Sequence, residues 1–379
     1  MERFQYGQPL APTLDFSSAQ GFRNSDSLRD THGDKLERHR YGRDSTRGGL
    51  DLELELELWH PGFRALTFRS GMAALETMMQ WAWPQHKSFF VQSEIYRKTE
   101  SLFTGLNDLS PRALERLPIS LGDQGKSYSR NKGNFVFLEF PSNPHLRLLD
   151  LHFSELPQGD RPFVFVDATM SGLGNLTDEF VRTTDALGYS LSKHIGGHND
   201  LIGGVLFVRP HIYEDLWNLR SRMGNGIGPM EAFLTLRSLR TFPIRFAAQC
   251  TNALEVFHGI EALREDERLE DIFFPGMGSN ADQHSLVTQT LLSPGSVMSF
   301  VVKGDRATLA ERMSNLKTLR MAPSFGSTDS LVEICSLMSR PEASYEELEK
   351  SGLEPTLVRL SIGLESADKI LTDVAKIVG

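Results

Sequence analysis

Cysteine is scarce in this chain, which has only Cys250 and Cys335 among its 379 residues. Two cysteines that lie far apart cannot form the disulfide framework of a small secreted protein, and they lack the close spacing of zinc ligands. The sequence therefore predicts no metal site and no structural disulfide bond. A reducing cytoplasm is the default compartment for such a protein.

Basic residues are also fewer than acidic ones. The chain has 40 lysines and arginines and 49 aspartates and glutamates, which gives a formal net charge of −9. Affinity for nucleic acid depends mainly on basic side chains that neutralise phosphates, so we expect no nucleic-acid partner. No run approaches the ~18 apolar residues of a membrane span, and residues 1–6 have no apolar signal-peptide core. We therefore expect a soluble cytoplasmic protein that does not contact a membrane.

The composition is otherwise that of a globular protein, with 40% hydrophobic residues and 32 glycines. The length suits two or three domains. Short apolar runs at 135–140, 163–166 and 204–208 are typical of strands covered on both faces, and helical or loop stretches separate them. This alternation predicts an α/β domain with a mostly parallel sheet. Further strand-like runs at 295–302 and 358–363 predict a smaller C-terminal α+β domain.

The N-terminal region has two ambiguous segments. Residues 21–49 are rich in charge and poor in aliphatic side chains, so they form either a disordered leader or an arm that docks on the main body or a second subunit. Residues 50–58 alternate leucine with acidic residues, a period that indicates a strand. Leucine and glutamate favour helix instead, and Leu50, Leu54 and Leu58 would then share one face. We favour the helix.

Two charged residues stand where an α/β sheet builds its sites. Asp167 ends the apolar run at 163–166, and Lys193 follows 26 residues later. That separation suits one crossover to a neighbouring parallel strand, and ligands bind beyond the carboxyl ends of such strands. We expect Asp167 and Lys193 to open onto the same crevice, since a buried carboxylate needs a cationic partner.

An ordered set of motifs resembles the fold-type I pyridoxal-phosphate (PLP) enzymes of cysteine and methionine metabolism, the trans-sulfuration family. That family includes cystathionine γ-synthase, the cystathionine lyases and methionine γ-lyase. The resemblance spans roughly residues 40 to 379 and rests on these segments: Ser70–Ala74 (SGMAA), Glu139–Pro144 (EFPSNP), Val166–Thr169 (VDAT), Ser190–Asp200 (SLSKHIGGHND), Arg237–Arg245 (RSLRTFPIR) and Val358–Glu365 (VRLSIGLE).

The resemblance implies a domain organisation and an assembly. Residues 1–47 would be an arm that contacts a neighbouring subunit, 48–245 the PLP-binding domain and 246–379 the C-terminal domain. Because the arm would complete the partner's active site, the expected state is a homodimer or homotetramer with shared active sites. The substrate would be a small amino acid.

The resemblance also assigns roles around the cofactor ring. Lys193 would form the Schiff base with the PLP aldehyde and then transfer protons. Asp167 would pair with the pyridine nitrogen, and Asn143 would lie near the phenolic oxygen. Tyr96 would stack on the ring and protonate a leaving group, although Arg97 and Lys98 replace the two glycines that follow this tyrosine in the family.

The cofactor phosphate has an expected site at the start of a helix, where free backbone N–H groups bind anions. The resemblance assigns this phosphate to the amides of Gly71 and Met72, the hydroxyls of Ser190 and Ser192, and Tyr41 and Arg43 of a neighbouring subunit. His194 and His198 are expected to have packing or loop roles rather than chemical ones.

Substrate binding falls to the C-terminal domain in this resemblance. Arg359 would bind the substrate carboxylate through two parallel hydrogen bonds, with Ser324 beside it. Pro323 stands where cystathionine-using relatives have a glutamate that helps to bind the distal amino acid, and Ala168 replaces an asparagine. These departures disfavour cystathionine and favour a smaller, less polar or unusual substrate.

The leading hypothesis is therefore γ-elimination or γ-replacement on an activated homoserine or a sulfur amino acid. The alternative within the family is β-elimination, as in a cystathionine or cysteine lyase. A transaminase and a non-catalytic partner protein that retains the fold are further alternatives.

Overall fold

Two β-sheets organise the part of the chain that the computed structural model describes, residues 10–22, 24–26, 40–118, 133–149, 161–263 and 268–379. The strands are β1 (Arg64–Phe68), β2 (Ser88–Gln92), β3 (Ala113–Leu117), β4 (Phe135–Glu139), β5 (Phe163–Asp167), β6 (Ala186–Ser190), β7 (Gly204–Val208), β8 (Leu269–Phe274), β9 (Met277–Gly278), β10 (Val297–Val302), β11 (Arg320–Met321), β12 (Leu331–Ile334) and β13 (Leu357–Ser361).

Helices cover both sheets. They are α1 (Arg47–Glu57), α2 (Gly71–Ala82), α3 (Arg97–Leu109), α4 (Asp178–Arg182), α5 (Pro210–Met223), α6 (Pro229–Leu239), α7 (Phe242–Leu263), α8 (His284–Thr290), α9 (Arg306–Met313), α10 (Cys335–Ser339), α11 (Tyr345–Lys350) and α12 (Ala367–Val378). Within the described ranges, none of these helices has the length and apolarity needed to cross a membrane.

The larger sheet has seven strands in the order β1-β7-β6-β5-β4-β2-β3. The five strands from β6 to β3 run parallel, while β7 and β1 are antiparallel to their neighbours. The prediction of a mostly parallel sheet is confirmed, and so are the three strands expected from the apolar runs.

Strand β4 explains why those runs are continuously apolar. Phe135 and Phe137 enter the hydrophobic cluster on one face of the sheet, while Val136 and Leu138 enter the cluster on the other face. Burial of each such side chain contributes about 1.5–3 kcal/mol. A strand covered on both faces has no position left for a polar side chain except at its end.

The smaller sheet has six strands in the order β11-β12-β13-β10-β8-β9. Helix α7 connects the two sheets, because Phe242 belongs to the core of the larger one and Val256 and Ile260 belong to the core of the smaller one. The helix thus spans the predicted domain boundary at residues 245 and 246, which remains a prediction.

The leucine-rich segment is helix α1, as propensity indicated, but its buried face differs from the expected one. Leu54 and Leu58 are exposed, by 40% and 72% respectively, while Leu50 packs inside with Leu52 and Leu56. The cause is Glu53, which lies on the inner face. Its carboxylate accepts hydrogen bonds from the Thr67 backbone N–H and hydroxyl and pairs with Arg220, and these contacts fix the rotation of the helix.

Residues 40–46 pack on the main body just before this helix. The Arg220 guanidinium donates to the Asp44 carbonyl oxygen at 3.3 Å, and the Ser221 hydroxyl donates to the Asp44 carboxylate. The rest of the predicted arm is described only in part, since residues 1–9, 23 and 27–39 lie outside the described ranges.

The buried Glu53–Arg220 pair gives the first prediction. Arg220→Met should lower the free energy of unfolding by about 3–5 kcal/mol, because it leaves a buried carboxylate without its cation. Urea unfolding followed by tryptophan fluorescence measures the loss. Lys350→Met removes the exposed Lys350–Glu346 pair and should cost less than about 1 kcal/mol. Equal losses for the two variants would contradict this role of the buried pair.

Candidate functional site

Lys193 lies in the turn that follows strand β6. Its Nζ donates a hydrogen bond to the Ser324 hydroxyl at 2.8 Å and lies 5.0 Å from the centre of the Phe325 ring. Burial and the nearby Arg359 charge lower the pKa of Lys193 to about 8, although Glu333 opposes the shift. A partly buried amine with this pKa has a far larger neutral fraction near neutral pH than an ordinary lysine, as a nucleophile or a proton carrier requires.

The turn that carries Lys193 is held from behind by Arg245 of helix α7. The Arg245 guanidinium donates to the carbonyl oxygens of His194 and Ile195, at 3.1 and 3.0 Å. Gly197 has φ of 71°, and a Cβ there would lie 1.9 Å from the Arg245 Nη1 atom. Only glycine fits this position, so the motif around Lys193 and the motif that ends at Arg245 form one packed unit.

Asp167 ends strand β5, next to strand β6. The two strands are parallel, with Asp167 opposite Gly188, so the predicted single crossover is confirmed. The Asp167 Oδ1 atom accepts bonds from the Thr169 backbone N–H and hydroxyl, at 3.0 and 2.6 Å. Burial raises the pKa of Asp167, and the Thr169 bonds oppose the shift. A cation beside this carboxylate, such as a protonated pyridine nitrogen, would offset the cost of its burial.

The start of helix α2 lies against the end of strand β6. Ser70 caps the helix by accepting from Ala73, and its carbonyl oxygen accepts from Ala74. Among the described contacts, the N–H groups of Gly71 and Met72 have no acceptor. These two free amides and the dipole of a twelve-residue helix make a fitting site for an anion such as a phosphate.

Ser190, one of the two serines assigned to the phosphate, lies beside the start of helix α2. The other, Ser192, lies beside the start of strand β7. A Cβ on Gly71 would lie 3.3 Å from the Ser190 Cβ atom and 3.5 Å from its hydroxyl oxygen. The Ser192 hydroxyl accepts from the Gly203 N–H at 3.1 Å, which leaves its own proton available. A Cβ on Gly204 would lie 2.4 Å from the Ser70 carbonyl oxygen, so strand β7 approaches the helix at a glycine.

Tyr41 and Arg43 lie elsewhere in this chain. The Arg43 guanidinium lies 5.2 Å from the Tyr41 ring centre and 3.7 Å from the Asp44 carboxylate, and its stem faces Gly224. Within the described part of the chain, neither side chain contacts Lys193. A role at the phosphate of a neighbouring subunit therefore stays a prediction.

Arg359 occupies the middle of strand β13 and is buried. Its Nη1 atom donates to the Asn143 Oδ1 atom at 3.0 Å, and its Nη2 atom lies 2.9 Å from the Glu333 carboxylate. The Nη2 atom also donates to the Ser324 carbonyl oxygen at 3.4 Å. The structure thus brings together Lys193, Ser324, Asn143 and Arg359, which lie in four distant segments of the sequence.

Ser324 adopts a backbone conformation that strains an L-residue, with φ of 124°. The conformation turns its hydroxyl to Lys193 and its carbonyl oxygen to Arg359. Strained residues of this kind persist where the surrounding structure fixes them, and they concentrate at functional sites.

Tyr96 is the N-cap residue of helix α3 and is 46% exposed. Its backbone N–H donates to the carboxylate of Glu139, the last residue of strand β4. Glu139 lies opposite Asp167 in the parallel register. Burial and the Asp167 charge raise the pKa of Glu139 well above its usual value.

The sequence reasoning missed Glu139, Glu333 and Arg245. Glu139 had the same signal as Asp167, since it ends an apolar run, and it stands first in the EFPSNP motif. Glu333 sits in the short strand β12, where it is paired with Arg359 in the sheet register. No local pattern distinguishes Glu333, because its partner is far away in sequence.

The two histidines near Lys193 have the packing and loop positions that were expected. His194 is buried, bonds the Ser296 hydroxyl at 2.9 Å and packs on Phe246 and Phe325. Burial lowers the pKa of His194 to about 4, so its ring is neutral. His198 bonds the Gly196 carbonyl oxygen at 2.6 Å on the exposed side of the turn.

Comparison with known proteins gives a consistent result. Cystathionine gamma-synthase 1, chloroplastic, of Nicotiana tabacum is 28% identical over 360 residues, which cover 94% of this chain and 66% of that protein. This chain therefore spans slightly less than two thirds of the tobacco relative. L-methionine gamma-lyase of Fusobacterium nucleatum subsp. polymorphum is 26% identical over 329 residues, 85% of this chain and 82% of that protein.

The solved structures agree with the sequences. Cystathionine gamma synthase from Xanthomonas oryzae pv. oryzae, in complex with aminoacrylate and cysteine, superposes with a TM-score of 0.84 at 26% identity, covering 99% of this chain and 94% of that one. The family model described as "Cys/Met metabolism PLP-dependent enzyme" matches residues 4–378. The chain belongs to this family of PLP-dependent enzymes of cysteine and methionine metabolism.

Proposed function

We propose that this protein binds PLP covalently at Lys193 and catalyses γ-elimination or γ-replacement on an activated homoserine or a sulfur amino acid. The observation that carries the proposal is the position of the Lys193 amine. Its pKa is lowered to about 8, it contacts Ser324, and Arg359 lies on the other side of Ser324. An amine and a guanidinium at these positions can engage the nitrogen side and the carboxylate side of one amino acid.

The residues around the amine fit PLP. The free amides of Gly71 and Met72, with the hydroxyls of Ser190 and Ser192, would hold the phosphate. The Asp167 carboxylate would balance the charge of the pyridinium, and Asn143 and Tyr96 would flank the ring. Tyr41 and Arg43 of a second subunit would complete the phosphate site, which makes a dimer or a tetramer the working assembly.

When bound, PLP would supply an electron sink, which permits proton loss at the substrate α-carbon and departure of a β or γ substituent. Lys193 would take the α-proton and return it at another carbon, since a pKa lowered to about 8 makes its amine a better proton carrier near neutral pH than an ordinary lysine. Arg359 would bind the α-carboxylate with its guanidinium already oriented by Asn143 and Glu333. Tyr96 would supply a proton to the leaving group.

Two features support γ chemistry and a substrate without a distal amino acid group. The tobacco and Fusobacterium relatives are named for γ reactions. Pro323, next to Ser324, has no carboxylate to bind a distal ammonium group. We therefore rank an acylated homoserine or methionine above cystathionine.

A substrate panel tests the reaction. Purified protein with PLP should release 2-oxobutyrate, or form a new thioether when a thiol is supplied, from O-acetylhomoserine, O-succinylhomoserine or methionine. Lys193→Ala should lower kcat by at least about 10³-fold, because both covalent attachment and proton transfer depend on this amine. Lys369→Ala, on helix α12, is the control and should keep full activity.

The products separate the alternatives. Pyruvate from cysteine or cystathionine would replace the γ assignment with β-elimination. A 2-oxo acid that retains the whole side chain would indicate transamination. Bound cofactor with no product from any of the five amino acids would refute the substrate assignment and leave the cofactor assignment in place.

The charges around Lys193 give a prediction about pH. Attachment of PLP to Lys193 requires the neutral amine, so its rate should rise with pH through a midpoint near 8, where an ordinary lysine would need about 10.4. Arg359→Met should move the midpoint to higher pH, because it removes a cation that lowers the pKa of Lys193. Glu333→Gln should move it to lower pH.

Borohydride trapping at a series of pH values, with mass spectrometry of the peptide that contains Lys193, measures these midpoints. Lys350→Met serves as the control for a change of surface charge. Shifts of the same sign for the Arg359 and Glu333 variants would refute the electrostatic explanation.

A further inference from the structure

His145 joins three segments of the chain that come together at the site. Its Nδ1 atom lies 3.2 Å from the Glu94 carboxylate, and its Nε2 atom lies 2.8 Å from the Glu354 carboxylate. The ring is buried, with its edge against Phe273 at a centroid distance of 4.9 Å. One imidazole thus connects the segment after strand β2, the segment after strand β4 and the segment before strand β13.

The arrangement favours a cationic ring. Both nitrogens face carboxylate oxygens, which only accept, so both nitrogens donate. Burial alone would favour the neutral ring, but the hydrogen bonds and charges of Glu354 and Glu94 raise the pKa of His145 to about 9. The imidazolium between two acids is then a charge-assisted contact that is stronger than a neutral hydrogen bond.

Each of the three segments carries a residue of the proposed site. Glu94 precedes Tyr96 by two residues and also accepts from the Ser142 hydroxyl at 3.0 Å. Asn143 precedes His145 by two residues. The Glu354 carbonyl oxygen accepts from the Leu357 N–H at 3.2 Å, at the start of the strand that carries Arg359.

Further bonds fix the backbone at His145 to the smaller sheet. The Asn280 side chain donates to the His145 and Leu146 carbonyl oxygens, at 2.9 and 3.3 Å. The Ser299 hydroxyl of strand β10 donates to the Pro144 carbonyl oxygen at 2.8 Å. The His145 ring links the Glu94 and Glu354 carboxylates directly, beside the Ser142–Glu94 and Asn143–Arg359 hydrogen bonds that join the same three segments.

We propose that His145 is a positioning residue, a cationic bridge through which Glu94 and Glu354 hold Tyr96, Asn143 and Arg359 in register across the two sheets. The catalytic part of this proposal rests on the proposed function. The structural part does not, because the bridge joins the same segments whatever the substrate is. A misplacement of about 1 Å in such a site can cost about 10²-fold in rate.

The test compares His145→Gln and Glu354→Gln with the wild type and with His258→Gln. The control residue belongs to an exposed histidine–glutamate pair on helix α7, His258 with Glu261 at 3.8 Å. His145→Gln removes the charge and can bond only one of the two acids. Glu354→Gln keeps the shape of a half-exposed side chain and removes one charge, so it is the milder variant for folding.

Two readouts do not depend on activity. In nitrogen-15 spectra the His145 ring should titrate near pH 9 in the wild type and at lower pH in Glu354→Gln. Amide hydrogen exchange should accelerate in segments 94–99 and 353–357 in both variants and stay unchanged in the control. Unchanged exchange in both segments would overturn the proposal, whether or not the protein turns over any amino acid.

The kinetic readout then tests the effect on catalysis. With the substrate that the wild type uses, kcat should fall about ten- to a hundredfold in His145→Gln while the amount of bound PLP stays constant. The variant that combines His145→Gln with Glu354→Gln should have a kcat only slightly below that of His145→Gln alone, since both changes break the same bridge. A lower melting temperature with unchanged kcat would show a purely stabilising contact and refute the positioning role.

Discussion

The contact between the Lys193 amine and the Ser324 hydroxyl is the interaction on which the site depends. It joins a turn of the large parallel sheet to a loop of the smaller C-terminal sheet at 2.8 Å. Strand β6 and Arg245 fix one partner, and the strained backbone of Ser324 fixes the other. Because the Ser324 carbonyl oxygen also accepts from Arg359 at 3.4 Å, Ser324 bridges the amine and the guanidinium.

Charged side chains of both signs lie in this part of the molecule. Lys193 and Arg359 are the two cations, Glu333 pairs with Arg359, and Asp167 and Glu139 lie opposite each other at the ends of neighbouring strands. A buried ion pair adds little net stability because desolvation offsets its attraction, so such a cluster is poorly explained as a stabilising device. The cluster does change the reactivity of Lys193, since burial and Arg359 lower the pKa of this lysine while Glu333 limits the shift.

Much of the fold and part of the site could be predicted from the sequence. The apolar runs of β4, β5 and β7 are visible because strands covered on both faces need apolar residues throughout. The position of a charged residue at the end of such a run also has a local cause, which is why Asp167 and Lys193 could be placed on neighbouring strands.

What could not be predicted depends on contacts between distant segments. The rotation of helix α1 follows from Glu53 meeting Arg220, 167 residues later. Glu333 and His145 have no local signal, because each acts on a partner that only the folded chain brings near. Arg245 ends a recognised motif, but the motif does not reveal that its guanidinium holds the Lys193 turn. The alternation of leucine and glutamate in α1 was misleading for the same reason, since one of its acids is a core residue.

The departures from the family motifs differ in whether a neighbouring residue compensates for them. Ala168 replaces an asparagine, yet it is fully buried among apolar side chains, and Thr169 supplies both hydrogen bonds to Asp167. The anchoring of Asp167 therefore does not need an amide at residue 168. Pro323 and the Arg97–Lys98 pair stand instead beside Ser324 and Tyr96, on the parts of the site that would face the substrate. The Asp167 side of the candidate site thus keeps its hydrogen bonds through a neighbouring residue, while the uncompensated changes stand beside Ser324 and Tyr96, the residues proposed to face the substrate.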